Sequence, residues 1–114
     1  MRELLRILKA LSDTQRIRIV KMLEIRPLCV CEITDVLGLA QSTVSKHLTI
    51  LRDVDLLLDE KDGKWVNYSL NLNARDRRVA KLLELVNEWL PDDETLRRDA
   101  AKVRKVSREV LCRV

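Results

Sequence analysis

The chain has 114 residues, 46% hydrophobic and 35% charged, which fits one globular domain and excludes a disordered chain. Two Gly, two Pro and three aromatics disfavour a turn-rich β-sandwich and favour helix; without a long uncharged apolar run or a signal-like start, the chain is expected to be cytoplasmic, with no membrane partner. A net charge of +4 permits nucleic-acid binding without demanding it.

Leu4, Leu5, Leu8 and Leu11 recur at helical spacing and predict a first helix over 2–11. Ser12, with Gln15 three residues on, fits a capping box and predicts a restart. The second helix runs to about Ile25, with Ile17, Val20, Met22 and Leu23 among its apolar positions, and Arg26-Pro27 ends it. Cys29 to Leu37 reads as a short helix closed by Gly38. Gln41 to about Val54 reads as another, with Val44, Leu48 and Leu51 as its buried line. Ser42, Ser45, Lys46 and Thr49 fall on or beside the opposite face. Two short helices joined by a glycine turn, the second polar outward, predict a helix-turn-helix over 29–54.

Asp62-Gly63 signals a hairpin turn, so residues 56–70 read as a two-stranded wing. Val66, Tyr68 and Leu70 alternate there with Trp65, Asn67 and Ser69, one face packing and the other meeting solvent. Two helical patterns over about 75–90 and 93–112, separated at Pro91, close the chain. Val79, Leu82, Leu83, Val86 and Trp89 line the first; Leu96, Ala100, Val103, Val106 and Val110 line the second. These stripes exceed what so small a core absorbs, so with helix 2–11 they predict a homodimer interface. The alternative is that they cover the winged helix within one chain. The expected fold is mainly α, an α+β winged helix-turn-helix of five to six helices, in a single domain spanning 1–114.

A recognition helix in the major groove makes Gln41, Ser42, Ser45 and Lys46 the candidates for base edges. Gln pairs bidentately with adenine, Ser suits several bases, and Lys favours guanine or phosphate. Thr43 and Thr49 are candidates for the backbone, and Lys61, Lys64 and Arg52 for phosphates. Over residues 40–56, Lys46 and Arg52 are balanced by Asp53 and Asp55. Affinity is therefore expected to draw on dimerisation and on Arg16, Arg18 and the wing lysines. The competing reading is a winged helix used only for protein contacts. His47 borders the buried line and reads as a packed or phosphate-bonding histidine rather than a metal ligand.

Three cysteines, Cys29, Cys31 and Cys112, are too few for a disulfide framework and leave metal binding, redox chemistry and simple packing open. Cys29 and Cys31 fall at a helix N-terminus, where the dipole favours thiolate, the form that binds soft ions. On an ideal helix positions i and i+2 point about 200° apart, so one ion takes both sulfurs only by deforming the helix start. Glu32 reads as a solvated first-turn acid. Cys112 reads either as a third sulfur from this or the other subunit, or as an incidental tail cysteine. With no nucleophile–base pair and no glycine-rich phosphate loop, neither an enzyme nor a catalytic cofactor is expected.

Residues Ala10-Leu11-Ser12-Asp13-Thr14-Gln15-Arg16-Ile17-Arg18-Ile19 and Leu37-Gly38-Leu39-Ala40-Gln41-Ser42-Thr43-Val44-Ser45-Lys46-His47-Leu48 resemble the ArsR/SmtB metalloregulatory repressors. So does Asp62-Gly63-Lys64-Trp65-Val66-Asn67-Tyr68-Ser69-Leu70. Leu28-Cys29-Val30-Cys31-Glu32-Ile33 resembles the Cys-Val-Cys box of the arsenite-responsive branch. The resemblance implies a homodimeric repressor of double-stranded operator DNA, released when Cys29 and Cys31 capture arsenite or antimonite as inducer. Cys112 is then the candidate third ligand. Thr14 stands where the family often has Pro, Ala40 where Ser or Thr usually caps the recognition helix, and Thr34 where some arsenic sensors carry a third Cys. The last two helices hold no His, so the His/Asp zinc or nickel site of other branches is not carried over. A thiol-based redox regulator is the alternative.

Overall fold

The computed structural model describes residues 1–111, the side chain of Glu109 excepted; Cys112 lies outside the described residues. The elements are α1 (Arg2–Leu11), α2 (Thr14–Leu23), β1 (Leu28–Cys29), α3 (Val30–Leu37), α4 (Gln41–Asp53), β2 (Leu57–Asp62), β3 (Trp65–Leu70), α5 (Arg77–Glu88), α6 (Glu94–Val103) and the single turn α7 (Arg108–Leu111). The fold is mainly helical with a small antiparallel sheet, as the sequence implied. Three boundaries differ for identifiable reasons.

At the start of α2 the cap is Asp13 rather than Ser12. Its Oδ1 accepts the N–H groups of Gln15 at 2.9 Å and Arg16 at 3.1 Å, satisfying donors that a helix start leaves open. The sheet has three strands in the order β1-β3-β2, not two. β1 pairs Leu28 with Tyr68 and Cys29 with Asn67, so Cys29 is extended backbone and α3 begins after it. The C-terminal pattern 93–112 is broken: α6 ends at Val103, and α7 restarts at Arg108.

α3 and α4 form the helix-turn-helix, with Gly38 in the left-handed region (φ 70°) that a Cβ would strain. The hairpin β2–β3 turns at Gly63 (φ 62°), the first central position of a two-residue loop, where glycine relieves the same strain. Ile19 and Met22 of α2, Ile33 of α3, Val44, Leu48 and Leu51 of α4, and Leu56 and Leu57 meet in one core. Each side chain so buried contributes about 1.5–3 kcal/mol.

Of the α5 stripe, Val79, Leu83 and Val86 are spent in this same core, with Val103 of α6 beside them. One chain therefore takes up part of these stripes and leaves part of them exposed. Among the apolar side chains left outward are Leu5 and Leu8 of α1, Leu72, Trp89 and Val110, the last three 63%, 51% and 65% exposed. Polar struts hold the terminal helices down. Arg18 grips Asp99 of α6 through Nε and Nη2, both at 2.8 Å. Lys21 Nζ donates to the carbonyls of Val86 and Trp89 at 3.0 and 3.1 Å, satisfying orphan acceptors at the end of α5.

Candidate nucleic-acid interface and thiol site

Helix α4 buries Val44, Leu48 and Leu51, and this choice of face turns Gln41, Ser42, Thr43, Lys46 and Thr49 outward, with Ser45 half-buried beside them. No side chain caps its N-terminus, because Ala40 has no acceptor to offer. Lys61 and Lys64 are exposed at the wing tip, and Lys64 Nζ lies 4.9 Å from the centroid of the Trp65 ring. Thus the eight residues singled out for DNA lie on α4 and on the wing, seven of them exposed.

The other expected cations are otherwise engaged. Arg16 donates to the carbonyls of Ala10 at 2.6 Å and Lys9 at 3.2 Å, closing the end of α1, and lies 3.2 Å from His47 Nδ1. Arg18 is the strut to Asp99. Arg52 pairs with Asp59 at 3.1 Å and Asp53 at 3.5 Å. These arginines serve the scaffold, Arg18 and Arg52 paired with carboxylates and Arg16 bonded to neutral carbonyls that leave its charge in place. His47 is half-buried between α4 and the start of α2, 4.0 Å from Asp13, as a packed histidine would be.

Beneath α4 lies α3, and at its start the cysteines. Cys29 is 1% exposed and occupies the N-cap, where it forms a capping box with Glu32. Its N–H donates to Glu32 Oε1 at 3.0 Å while the Glu32 N–H points back to Cys29 Sγ. Glu32 is thus no solvated acid: it is buried, and its second oxygen accepts from Arg26 Nη2 at 3.1 Å. The same Arg26 nitrogen donates to the carbonyls of Val103 and Val106, tying α3 to the end of α6.

This environment reverses one expectation. Burial pushes the Cys29 thiol above its ordinary pKa, and the Glu32 carboxylate adds to the effect; the N–H groups of Glu32 and Cys31 only partly offset it. The helix terminus is present, but desolvation and a neighbouring negative charge outweigh it. Cys31 is half-buried within the first turn of α3 and is disulfide-bonded. Since Cys29 is extended and Cys31 helical, the two do not sit on one ideal helix, and the 200° divergence expected of that arrangement does not describe them. Among the described residues no group of three His, Cys, Asp or Glu is placed to hold a metal ion. Sequence reasoning missed Glu32 as a partner of Cys29, although their three-residue capping spacing was a signal for it; Arg26 carried no such signal.

Residues 13–57 match the bacterial regulatory protein, arsR family. An arsenic resistance transcriptional regulator of Pseudomonas putida is 35% identical over 100 residues, covering 82% of this chain and 78% of that protein. The chain belongs to the ArsR family. It is accordingly a winged-helix, DNA-binding transcription regulator and not an enzyme. The arsenical resistance operon repressor of Escherichia coli is 44% identical over 68 residues, 59% of this chain; the chain spans just over half (58%) of that relative. Among solved structures, reduced HlyU from Vibrio cholerae superposes with a TM-score of 0.67 at 30% identity, covering 79% of this ArsR-family chain and 90% of HlyU. No helix among the described residues is long and apolar enough to cross a membrane.

Proposed function

We propose that the chain is a homodimeric repressor that holds operator DNA through α4 and the wing and releases it when trivalent arsenic or antimony is captured by Cys29 and Cys31. The observation that carries this reading is the stacking of two layers: the outward polar face of α4 lies directly over the α3 helix whose first residues are the cysteines. The names of the Pseudomonas and Escherichia coli relatives support the inducer class.

The DNA contacts follow from exposure. Gln41, Ser42, Ser45 and Lys46 would read base edges, Thr43 and Thr49 the adjoining backbone, and Lys61 and Lys64 the flanking phosphates. The uncapped start of α4 adds backbone N–H groups suited to a phosphate oxygen. The outward apolar set Leu5, Leu8, Leu72 and Trp89 is the surface for the second subunit.

Capture of arsenite by two thiols forms two arsenic–sulfur bonds and expels two waters, each thiol proton leaving with a hydroxide. In this chain the reaction first requires Cys31 to be reduced and Cys29 to leave its buried position. Leaving means breaking the β1 pairing with Asn67 and the capping box with Glu32, both at the start of α3. Breaking these bonds would shift α3 under α4 and misplace the reading face. The described residues supply two sulfurs, and Cys112 is the candidate for a third.

A second reading has its own observation. Cys31 is disulfide-bonded, so oxidation by a peroxide, which takes two electrons and two protons from a thiol pair and yields two waters, is the competing trigger. The readings part in one titration. Fluorescence anisotropy on a labelled duplex from the chain's own promoter, in reducing buffer, should show salt-dependent binding that Gln41→Ala and Lys46→Ala weaken. Arsenite should then release the DNA without oxidant. Release by peroxide alone, restored by dithiothreitol and untouched by arsenite, would make the redox reading the correct one.

A further inference from the structure

We propose that Arg108 of α7 is a positioning residue for DNA contact by the wing, acting as a clamp that fixes the hairpin tip and neutralises its one acidic side chain. This deepens the DNA-binding reading above and rests on it.

The wing tip carries Lys61, Asp62, Gly63 and Lys64. A two-stranded ribbon that projects from a domain is held only at its base, and its tip lysines contribute to binding only if the ribbon points consistently at the duplex. Asp62 works against them. Half-exposed between two lysines, it sets a negative charge where the phosphates must approach.

Arg108 meets both difficulties at once. Its Nη2 donates to Asp62 Oδ2 at 2.7 Å and its Nη1 to Asn67 Oδ1 at 3.1 Å. The guanidinium carbon lies 4.3 Å from the centroid of the Trp65 ring. One planar fork therefore grips the tip, the ring at the start of β3 and the middle of β3, a geometry a lysine cannot reproduce. Arg108 arises from the segment whose preceding carbonyls, Val103 and Val106, are held by Arg26. Asn67 is in turn the register partner of Cys29. The wing tip is thus braced against the same part of the molecule that carries the thiols.

A structural prop and a charge-masking clamp differ in what Asp62→Asn does. In wild-type protein Asp62 is already neutralised, so Asp62→Asn should leave promoter binding within about twofold. Arg108→Ala exposes that charge and loosens the ribbon. It should weaken binding by about tenfold and flatten the slope of log Kd against log salt by about one for each phosphate the wing no longer reaches. Asp62→Asn combined with Arg108→Ala should then recover part of the affinity. Arg108→Gln, which keeps a donor for Asn67 but no charge, gives the same comparison if Arg108→Ala fails to fold. A DNA-free readout accompanies these: in a Trp89→Phe background, Arg108→Ala should make Trp65 emission more accessible to acrylamide quenching. The clamp is overturned if the Arg108 variants bind promoter DNA as wild type does, if Asp62→Asn recovers nothing, or if Trp65 quenching is unchanged. No DNA binding by the wild type would instead sink the reading beneath it, and the clamp's role with it.

Discussion

Replacing Asp99 with Ala should destabilise the protein by several times what an exposed ion pair contributes. Its carboxylate is only 4% exposed and accepts two hydrogen bonds from Arg18, both at 2.8 Å. Breaking a buried pair by removing one partner costs about 3–5 kcal/mol, because the survivor is left charged and desolvated. Here the survivor is less confined: the Arg18 side chain is 16% exposed, and its Nη1 keeps Gln15 Oε1 at 2.9 Å. A loss of about 2–4 kcal/mol is therefore expected. At roughly 4 °C per kcal/mol for a domain of this size, Tm falls by about 8–16 °C. The control is Arg18→Met with Asp99→Leu, which removes both charges and should return to within about 1 kcal/mol of wild type. Urea and thermal unfolding at one fixed protein concentration measure both, since self-association would otherwise move the midpoint. A stability for Asp99→Ala within about 1 kcal/mol of wild type would refute the claim that this pair anchors α6 on α2.

Glu32→Gln should lower the Cys29 thiol pKa, because it removes the carboxylate that reinforces burial; the pH profile of alkylation in a Cys31→Ser, Cys112→Ser background measures it, and an unchanged profile counts against the mechanism. Burial raises the Asp13 carboxyl, but the Arg16 N–H and the Arg16 and His47 charges outweigh it, so the net pKa is lowered. Its stabilisation is accordingly complete above the usual carboxylate pKa and is lost as pH falls through the lowered value. Asp13→Ala should cost about 1 kcal/mol at neutral pH and progressively less in acid, read by urea unfolding across pH. Leu5→Asp with Leu8→Asp should abolish the proposed dimer in sedimentation equilibrium while leaving the helical circular dichroism intact, as both side chains face outward within one chain.

The helix-turn-helix was legible because its signals are local. The i, i+4, i+7 line of Val44, Leu48 and Leu51 fixes which face of α4 is buried, and Gly38 marks the turn before it. The hairpin was legible from Asp62-Gly63 for the same reason. β1 was not: two residues carry no periodicity, and their strand character exists only through pairing with β3, whose sequence lies far along the chain. That one omission placed Cys29 inside a helix and suggested a thiolate, whereas tertiary burial and the Glu32 carboxylate push its pKa up. A count of cations likewise does not reveal which arginines also serve the fold: Arg18 and Arg52 pair with carboxylates, and Arg16 closes the end of α1 on backbone carbonyls.

The most direct test of the account is promoter-DNA anisotropy of reduced protein with increasing arsenite, comparing wild type with Cys29→Ser and Cys31→Ser. All three should bind DNA, and arsenite should release only the wild type. Arsenite-driven release from both variants, or no release from any of the three, would contradict capture at Cys29 and Cys31.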